Sequence, residues 1–381
     1  MSNKIKYIAF YEEAATDKQN RYAVLAAVDK VNYISNTLVK NNYEVTIVSP
    51  SWTLNNSGFY EGGNRVLTPY INLKTFHSFG SGIKIFRMFK YLYTLLQLFL
   101  YLIFNTVKDE PVIVYHSVIL SLPVRAARLI RRFSLILEVE EIYQDVSSFS
   151  NYMKRSEYKI IHKADKYIFS TELLNEKINE SKKPFVIIYG VYNNEDLISE
   201  KEADGYIHVV YAGNFSPKKG GGLAAVDCAA YLSKNYHVHI IGFGTEDETM
   251  AIKTRIRAVE EKQRGKITFD GILYGKKYIS FLQKCHIGLS TQNSSAAFCD
   301  TSFPSKILSY MSNGLYVVSG RIKVVERTRM SSCIYYYDQQ NPRSIAKAIL
   351  SVNIDGPNKS REIMKSLDLE FETNLAKLLS L

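Results

Sequence analysis

Short apolar runs alternate with helix-length amphipathic segments along most of this 381-residue chain. The runs are rich in β-branched and aromatic residues, which favours strands, and the intervening segments have helical spacing of apolar positions. Predicted strands in the first half are 6–10, 45–49, 112–116, 135–139, 167–170 and 185–189. Those in the second half are 208–212, 237–241, 267–270, 287–291, 316–319 and 334–337. This pattern predicts an α/β fold with doubly wound parallel sheets that are covered by helices on both faces.

The series of strands restarts near residue 207, after the polar stretch NNEDLISEKEADGY. We therefore expect a first domain at 1–192, a linker at 193–206, and a second domain at 207–358 that faces the first across a cleft. A final helical segment, 359–381, is expected to pack back toward the first domain. Ligands of doubly wound sheets bind at the carboxyl ends of the strands, so the loops that follow strands are the candidate functional segments.

Segment 85–104 (IFRMFKYLYTLLQLFLYLIF) departs from this pattern because it is almost entirely apolar. Its uncharged part, 91–104, is short for a membrane span of ~20 residues. Two interpretations stay open. The segment is a crossover helix of the first sheet, or it lies in a membrane interface with flanking basic residues toward the headgroups, namely Arg87, Lys90 and Lys108.

A second basic feature lies nearby on a predicted helix that begins at Pro123. Arg125, Arg128 and Arg132 have the spacing of one helical face. The face is either solvated or a further contact with an anionic membrane.

Composition narrows the class of protein. The chain has 48 Lys and Arg against 37 Asp and Glu, a net charge of +11, with 46% hydrophobic residues and nine prolines. These values exclude disordered, collagen-like and disulfide-scaffold chains. The basic residues are dispersed and no nucleic-acid recognition module is visible, so a nucleic-acid partner is not expected.

The four cysteines have neither zinc-site nor disulfide-framework spacing, which favours a reducing compartment: Cys228, Cys285, Cys299 and Cys333. The apolar run near the N-terminus is too short for the core of a signal peptide. A cytoplasmic location is therefore expected, peripheral on the inner face of the cell membrane if segment 85–104 contacts lipid.

The strongest chemical signal is DTSFPSKILSYMSNGLYVVS, residues 300–319. Pro304 suits a first helical turn, Gly314 suits the helix end, and the first amides of a helix are unpaired donors. The hydroxyl of Ser305 and the ammonium of Lys306 would join those amides around one anion, as a diphosphate site requires.

The second signal is VVYAGNFSPKKGGG, residues 209–222, in which a strand runs into a glycine-rich loop and then a helix predicted over 223–234. Gly213 at the strand end lets the backbone approach a ligand, and Lys218 and Lys219 supply positive charge to phosphate. The loop matches neither the Walker motif nor the dinucleotide-binding fingerprint.

Together these segments resemble the nucleotide-binding half of retaining GT-B glycosyltransferases, in particular family 4 (group 1). AGNFSPKKG is similar to that family's first strand and loop, IIGFG (240–244) to its apolar-Gly-x-Gly turn, and SFPSKILSYMSNGLYVVS to its donor-site helix. ITFDGIL and FLQKCHIGLS, within 267–290, resemble the segment around the base. In the first half, LEVEEIYQDV (137–146) fits the acceptor domain.

The resemblance implies a retaining, metal-independent glycosyltransferase that needs no cofactor beyond its co-substrate. It would move a sugar from a UDP- or GDP-sugar to a saccharide or lipid-linked saccharide in bacterial surface polysaccharide synthesis. Lys219 and Lys306 would neutralise the leaving diphosphate. The implied donor-binding residues are Gly213, Asn214, Lys218, Gly242, Gly244, Thr301, Ser302, Phe303, Pro304, Ser305 and Ser309. The family often has two glutamates eight residues apart, where this chain has Thr301 and Ser309, and an arginine where it has Asn214.

On the acceptor side, Glu140 and Glu141 follow predicted strand 135–139. A carboxylate there would orient or deprotonate an acceptor hydroxyl. The alternative is a solvated acidic pair. We expect His116 to be a satisfied core histidine rather than a catalytic one, and Arg21 to be a surface residue rather than a contact to phosphate.

Two other functions stay open for the whole chain. One is a sugar-nucleotide epimerase with the same fold and diphosphate site. The other is a non-catalytic GT-B binding protein, which is suggested by Thr301 and Ser309.

Overall fold

A computed structural model describes residues 3–13, 19–143, 151–217, 220–261, 265–292 and 301–381. The chain forms two compact units, one comprising Met1–Val191 with Glu370–Leu381 and the other comprising Tyr192–Leu369.

The first unit is built on an eight-stranded sheet in the order β10-β9-β8-β7-β1-β2-β5-β4, parallel except for the edge strand β4. Its strands are β1 (Asn3–Ile8), β2 (Tyr43–Ser49), β3 (Phe59–Tyr60), β4 (Asn64–Thr68), β5 (Ile71–Thr75), β6 (Ser78–Phe79), β7 (Pro111–Tyr115), β8 (Ser134–Val139), β9 (Lys166–Phe169) and β10 (Phe185–Ile187). Its helices are α1 (Leu25–Lys40), α2 (Lys84–Asn105), α3 (Ser121–Arg131), α4 (Asn151–Lys163) and α5 (Glu172–Ile178). Strands β3 and β6 form a separate antiparallel pair.

The second unit has a six-stranded parallel sheet in the order β13-β12-β11-β14-β15-β16. Its strands are β11 (Ile207–Asn214), β12 (Tyr236–Phe243), β13 (Lys266–Gly271), β14 (Ile287–Ser290), β15 (Tyr316–Gly320) and β16 (Ile334–Tyr337). Its helices are α6 (Gly221–Cys228), α7 (Glu246–Glu260), α8 (Gly275–Lys284), α9 (Ser305–Ser312), α10 (Lys323–Glu326), α11 (Pro342–Leu350) and the first part of α12 (Ser360–Ser380). This is the 3-2-1-4-5-6 order of Rossmann domains, whose switch point lies between β11 and β14.

Burial explains why these runs became strands. On one face of the second sheet, Val209, Tyr211, Val238 and Ile240 are completely buried in a core shared with α6, α7 and α11. The loop before α7 is fixed by a capping box, in which Thr245 and Glu248 exchange hydrogen bonds with each other's backbone amides. The α/β doubly wound fold class and all the predicted strands are confirmed. The helix predicted over 223–234 ends earlier, at Cys228, where a 3₁₀ turn replaces it.

The C-terminal helix α12 contributes its last residues to the first unit. Phe371 is buried there, and its ring stacks on Tyr33 with centroids 5.8 Å apart. The ammonium of Lys166 donates a hydrogen bond to the carbonyl oxygen of Leu378 at 2.9 Å. These contacts make the end of α12 part of the core of the first unit.

Helix α2 is long and apolar enough to cross a membrane, and only 22% of its most apolar stretch is buried. The residues that it buries are Lys90, Thr94, Leu98 and Leu102. Its first turns expose large apolar side chains, namely Phe86, Met88, Phe89, Leu92 and Leu96. In this half of the helix Lys90 and Thr94 therefore face the domain, while these apolar side chains are exposed together with Lys84 and Arg87.

Two expectations about basic residues need correction. Lys90 does not point outward, because its ammonium is buried and donates a hydrogen bond to the Thr53 carbonyl oxygen at 2.6 Å. Arg128 does not belong to a free basic face, because its guanidinium binds both carboxylate oxygens of Asp165 at 2.6 Å.

Among the described residues, Cys228, Cys285 and Cys333 are free cysteines. Cys299 lies outside the described residues.

Candidate active site

Two glycines on neighbouring strands shape the carboxyl end of the second sheet. Gly213 of β11 and Gly242 of β12 are aligned partners. A Cβ atom on Gly213 would lie 2.3 Å from Cε of Lys306, and one on Gly242 would lie 1.8 Å from the carbonyl oxygen of Gly213. Real Cβ contacts are never this short. Glycine is therefore required at Gly213 for Lys306 to lie against β11, and at Gly242 for β12 to approach the backbone of Gly213.

A buried tyrosine holds the side chain of Lys306. The Lys306 ammonium donates a hydrogen bond to the Tyr211 hydroxyl at 3.0 Å and lies 4.2 Å from the centre of the Tyr211 ring. The Tyr211 hydroxyl donates to the Asn214 carbonyl oxygen at 2.9 Å. Burial raises the pKa of Tyr211, so the phenol stays protonated and neutral beside the ammonium. Tyr211 therefore positions Lys306 without neutralising its positive charge.

Lys306 belongs to the first turn of α9, which starts beside the switch point of the sheet. Pro304 is the N-cap residue and has no side-chain capping bond, and Ser305, the first helical residue, is exposed. The Ile307 amide bonds to the Pro304 carbonyl oxygen at 3.0 Å. A helix start with an exposed hydroxyl and a positioned ammonium is suited to bind phosphate. The structure thus brings Gly213, Ser305 and Lys306 together.

The other predicted donor residues surround this centre or support it. Thr301, Phe303 and Pro304 are buried, and Ser302 is half-buried. The Ser309 hydroxyl lies 3.1 Å from the Tyr278 hydroxyl. The Asn214 side chain accepts a hydrogen bond from the Ser216 amide at 2.7 Å, which shapes the loop after β11.

Another predicted residue, Gly244, lies in the loop between β12 and α7, where a Cβ atom would meet a carboxylate oxygen of Glu248 at 2.7 Å. Lys218 and Lys219 lie outside the described residues.

In the first unit, Glu140 and Glu141 lie just after β8, near the carboxyl end of the sheet. Glu140 is ion-paired with Lys30 of α1, which is itself buried. Glu140 is therefore a fixed carboxylate rather than a freely solvated one. Glu141 is half-buried beside it.

The structure adds Glu138, which the sequence analysis did not single out. It is completely buried on β8, accepts a hydrogen bond from the Tyr7 hydroxyl, and lies 3.8 Å from the ammonium of Lys30. Burial raises the pKa of Glu138 to about 8, despite the opposing charge of Lys30. The available signal was a carboxylate inside the apolar run LILEV, because buried carboxylates are rare without a partner.

Of two other expectations for the first unit, the core position of His116 is confirmed and the surface position of Arg21 is wrong. Nε2 of buried His116 lies 3.5 Å from Oε1 of Glu157. Burial lowers the pKa of His116 to about 4, so its ring is neutral. Arg21 is buried rather than exposed, and donates hydrogen bonds to the carbonyl oxygens of Ser51 at 2.7 Å and Glu61 at 3.3 Å.

Comparison with known proteins agrees with this geometry. The family model of glycosyl transferases group 1 matches residues 207–355, the part that holds Gly213 and Lys306. No curated protein matches the chain at a significant level of sequence similarity.

Solved structures match over nearly the whole length. A sucrose-phosphate synthase from Thermosynechococcus elongatus has a TM-score of 0.66 at 13% identity, with 99% of this chain and 98% of that chain covered. HepE from Anabaena in complex with UDP has a TM-score of 0.64 at 12% identity, with 99% of each chain covered. AviGT4, a glycosyltransferase involved in avilamycin A biosynthesis, has a TM-score of 0.59 at 12% identity, with 99% of this chain and 98% of that chain covered. The chain therefore has the GT-B fold of these glycosyltransferases, and its residues 207–355 match the family model of glycosyl transferases group 1.

Proposed function

We propose that this glycosyltransferase moves a sugar from a nucleoside-diphosphate sugar to a saccharide or lipid-linked saccharide acceptor in bacterial surface polysaccharide synthesis. One observation carries the donor class: Lys306 lies against Gly213 at the start of α9, beside the switch point of the second sheet. Among UDP- and GDP-sugars we favour a UDP-sugar. HepE is structurally similar and has been solved with UDP and with UDP-glucose.

The chemistry follows from charge. Cleavage of the bond between sugar and diphosphate leaves negative charge on the diphosphate, which the transition state must already stabilise. The ammonium of Lys306, the first amides of α9 and the Ser305 hydroxyl would supply that stabilisation, together with Lys219. In this mechanism the protein's own cations do the work of a metal, no cofactor is required, and the sugar is transferred with retention.

The buried acidic cluster of the first unit is the candidate for handling the acceptor. Lys30 fixes Glu140 at the carboxyl end of the sheet, where ligands of doubly wound folds bind. We propose that Glu140 orients the acceptor hydroxyl, that Glu141 lines the same end, and that Glu138 sets the position of Lys30. Glu140→Gln should then lower kcat more than it raises KM for the donor.

Helix α2 supports peripheral contact with the inner face of the cell membrane. Ile85, Phe89 and Leu92 are each at least half exposed, whereas Lys90 and Thr94 face the domain. Such a helix can lie in the headgroup region with its apolar side toward the acyl chains. That location would place the enzyme beside a lipid-linked acceptor.

Cosedimentation with anionic vesicles tests the membrane contact. The double variant Leu92→Ser with Leu96→Ser should lose vesicle binding. The control variant Leu197→Ser with Ile198→Ser changes exposed apolar residues of the second unit and should keep it. If wild-type protein stays in the supernatant at low salt, the membrane proposal is wrong.

The donor class is tested by thermal stabilisation with UDP, GDP, CDP, ADP and dTDP, each with and without attached sugar. A ligand that binds only native protein adds about 2.7 kcal/mol at 100 times its Kd. One diphosphate should stabilise the wild type, Lys306→Ala should lose that shift, and Lys347→Ala, an exposed lysine of α11, should keep it.

The same ligands distinguish the other functions. Turnover of a donor without acceptor would indicate an epimerase. No shift from any nucleotide would overturn the donor site and favour a non-catalytic protein.

A further inference from the structure

Three histidines meet near the amino end of the second sheet, the end opposite Gly213 and Lys306. His208 of β11 and His237 of β12 are aligned partners, and His239 follows two residues later on the same face. All three side chains are buried, and each offers a ring nitrogen within 4.8 Å of those of the other two.

Each ring has an oxygen partner on one nitrogen. Nε2 of His208 lies 2.9 Å from Oδ1 of Asp204, and Nδ1 of His239 lies 3.1 Å from Oδ2 of Asp270. Nε2 of His237 lies 3.0 Å from Oγ1 of Thr268. Histidines that bind metals almost always have such a partner on their other nitrogen, since it fixes the tautomer and orients the ring.

The remaining nitrogens of the three rings have too few protons to satisfy one another. Nδ1 of His208 lies 2.9 Å from Nε2 of His239. When the outer nitrogens donate to Asp204 and Asp270, both of these inner nitrogens present lone pairs to each other. Nδ1 of His237 is buried and has no hydrogen-bond partner among the described residues. A cation between the three rings would satisfy all of these lone pairs.

We propose that this cluster, His208, His237 and His239, binds a zinc ion. Neutral imidazole is a preferred zinc ligand, and Zn–N bonds of 2.0–2.1 Å place tetrahedral nitrogens about 3.3 Å apart, close to the 2.9 Å between His208 and His239. The carboxylates of Asp204 and Asp270 balance the charge of the ion. The fourth position is left to water or to one of these carboxylates.

The site is separate from the sugar-transfer centre. Gly213 lies five positions after His208 on β11, which is about 17 Å at 3.3 Å per residue. Since the ligands come from β11 and β12 and their partners from β13 and the segment before β11, the ion would tie these parts of the domain together. Its role is to stabilise the second unit and not to contact the donor.

Cobalt is the probe, because tetrahedral Co²⁺ bound by imidazole absorbs visible light without any need for enzyme activity. Chelator-treated protein should bind one Co²⁺ per chain with this spectrum, and Zn²⁺ should displace it. His237→Gln should abolish the spectrum, and His162→Gln, an exposed histidine of the first unit, should leave it unchanged.

Asp204→Asn covers the case in which His237→Gln does not fold. The carboxylate of Asp204 is 43% exposed in the wild type, so its replacement leaves the core intact. It should weaken Co²⁺ binding about 10- to 100-fold by removing the partner of His208. Absence of a tetrahedral spectrum in folded wild type would overturn the proposal, as would binding that neither Asp204→Asn nor His237→Gln weakens.

Discussion

Replacement of Gly213 by alanine tests whether this glycine is needed for Lys306 to lie against β11. The new Cβ atom would lie 2.3 Å from Cε and 2.5 Å from Nζ of Lys306, whereas ordinary contacts start at 3.4 Å. Because the obstructed atoms end a flexible side chain, the protein should fold with the ammonium displaced by about 1 Å or more. The 3.0 Å hydrogen bond from Lys306 to Tyr211 would then break.

The magnitude follows from the contact that is lost. A hydrogen bond to a charged group contributes about 1.5–3 kcal/mol. Loss of the bond from Lys306 to the donor diphosphate should therefore raise Kd about 10- to 150-fold. Alanine is strained at the φ of +155° that Gly213 adopts, so the substitution also destabilises the folded state by about 1 kcal/mol. This strain does not act on the ligand directly.

Isothermal titration with the preferred nucleoside diphosphate measures this effect in Gly213→Ala, Lys306→Ala and the double variant. The double variant should bind no more weakly than Lys306→Ala, because the two substitutions remove the same interaction between Lys306 and the diphosphate. Gly271→Ala is the matched control, since Gly271 also ends a strand with positive φ but has no atom within 4 Å of the added Cβ. Wild-type affinity in Gly213→Ala, or additive losses in the double variant, would refute the reasoning.

Three further predictions concern stability. Gly242→Ala places Cβ 1.8 Å from the backbone oxygen of Gly213, so urea unfolding should show a loss of roughly 2–4 kcal/mol. Phe371→Ala empties a buried site against Tyr33 and should cost about 3–5 kcal/mol in the urea transition of the first unit, whereas Leu369→Ala, an exposed position, should cost little. The raised pKa of Glu138 means that the native state holds its proton more tightly than the unfolded state, so its contribution to stability is full at low pH and falls as pH rises through about 8. Between pH 6 and pH 9 the wild type should lose about 2–3 kcal/mol relative to Glu138→Gln, measured by thermal melts of both proteins, and a pH-independent difference would contradict this.

Local signals made most of the fold and part of the site predictable. Segments such as 208–212 and 316–319 are buried on both faces of a sheet. Such strands are visible in the sequence because they read as nearly continuous apolar runs. The start of α9 was predictable because proline, serine and lysine act within one helical turn. Strands β3, β4, β5 and β6 were missed. Strands β3 and β6 have two residues each and carry no periodicity, and three of the five residues in each of β4 and β5 are polar.

The features that escaped prediction depend on contacts between distant strands. Glu138 acquires its raised pKa from complete burial in the folded unit, and its partners Tyr7 and Lys30, which reach it from β1 and α1, oppose that rise. The histidine cluster exists because the register of two strands sets His208 beside His237, which a single sequence does not reveal. The burial of Lys90 depends on a carbonyl group that lies 37 residues earlier in the chain.

The outward-facing apolar side of α2 has a practical consequence for handling the protein. Phe86, Phe89 and Leu92 are at least half exposed, so exchanging them for glutamine or lysine should change the free energy of unfolding by no more than about 0.5 kcal/mol each. Such a resurfaced protein should stay monodisperse without detergent and give better-ordered crystals. Lys90, Thr94, Leu98 and Leu102 must be left untouched, since their buried side chains attach the helix to the domain.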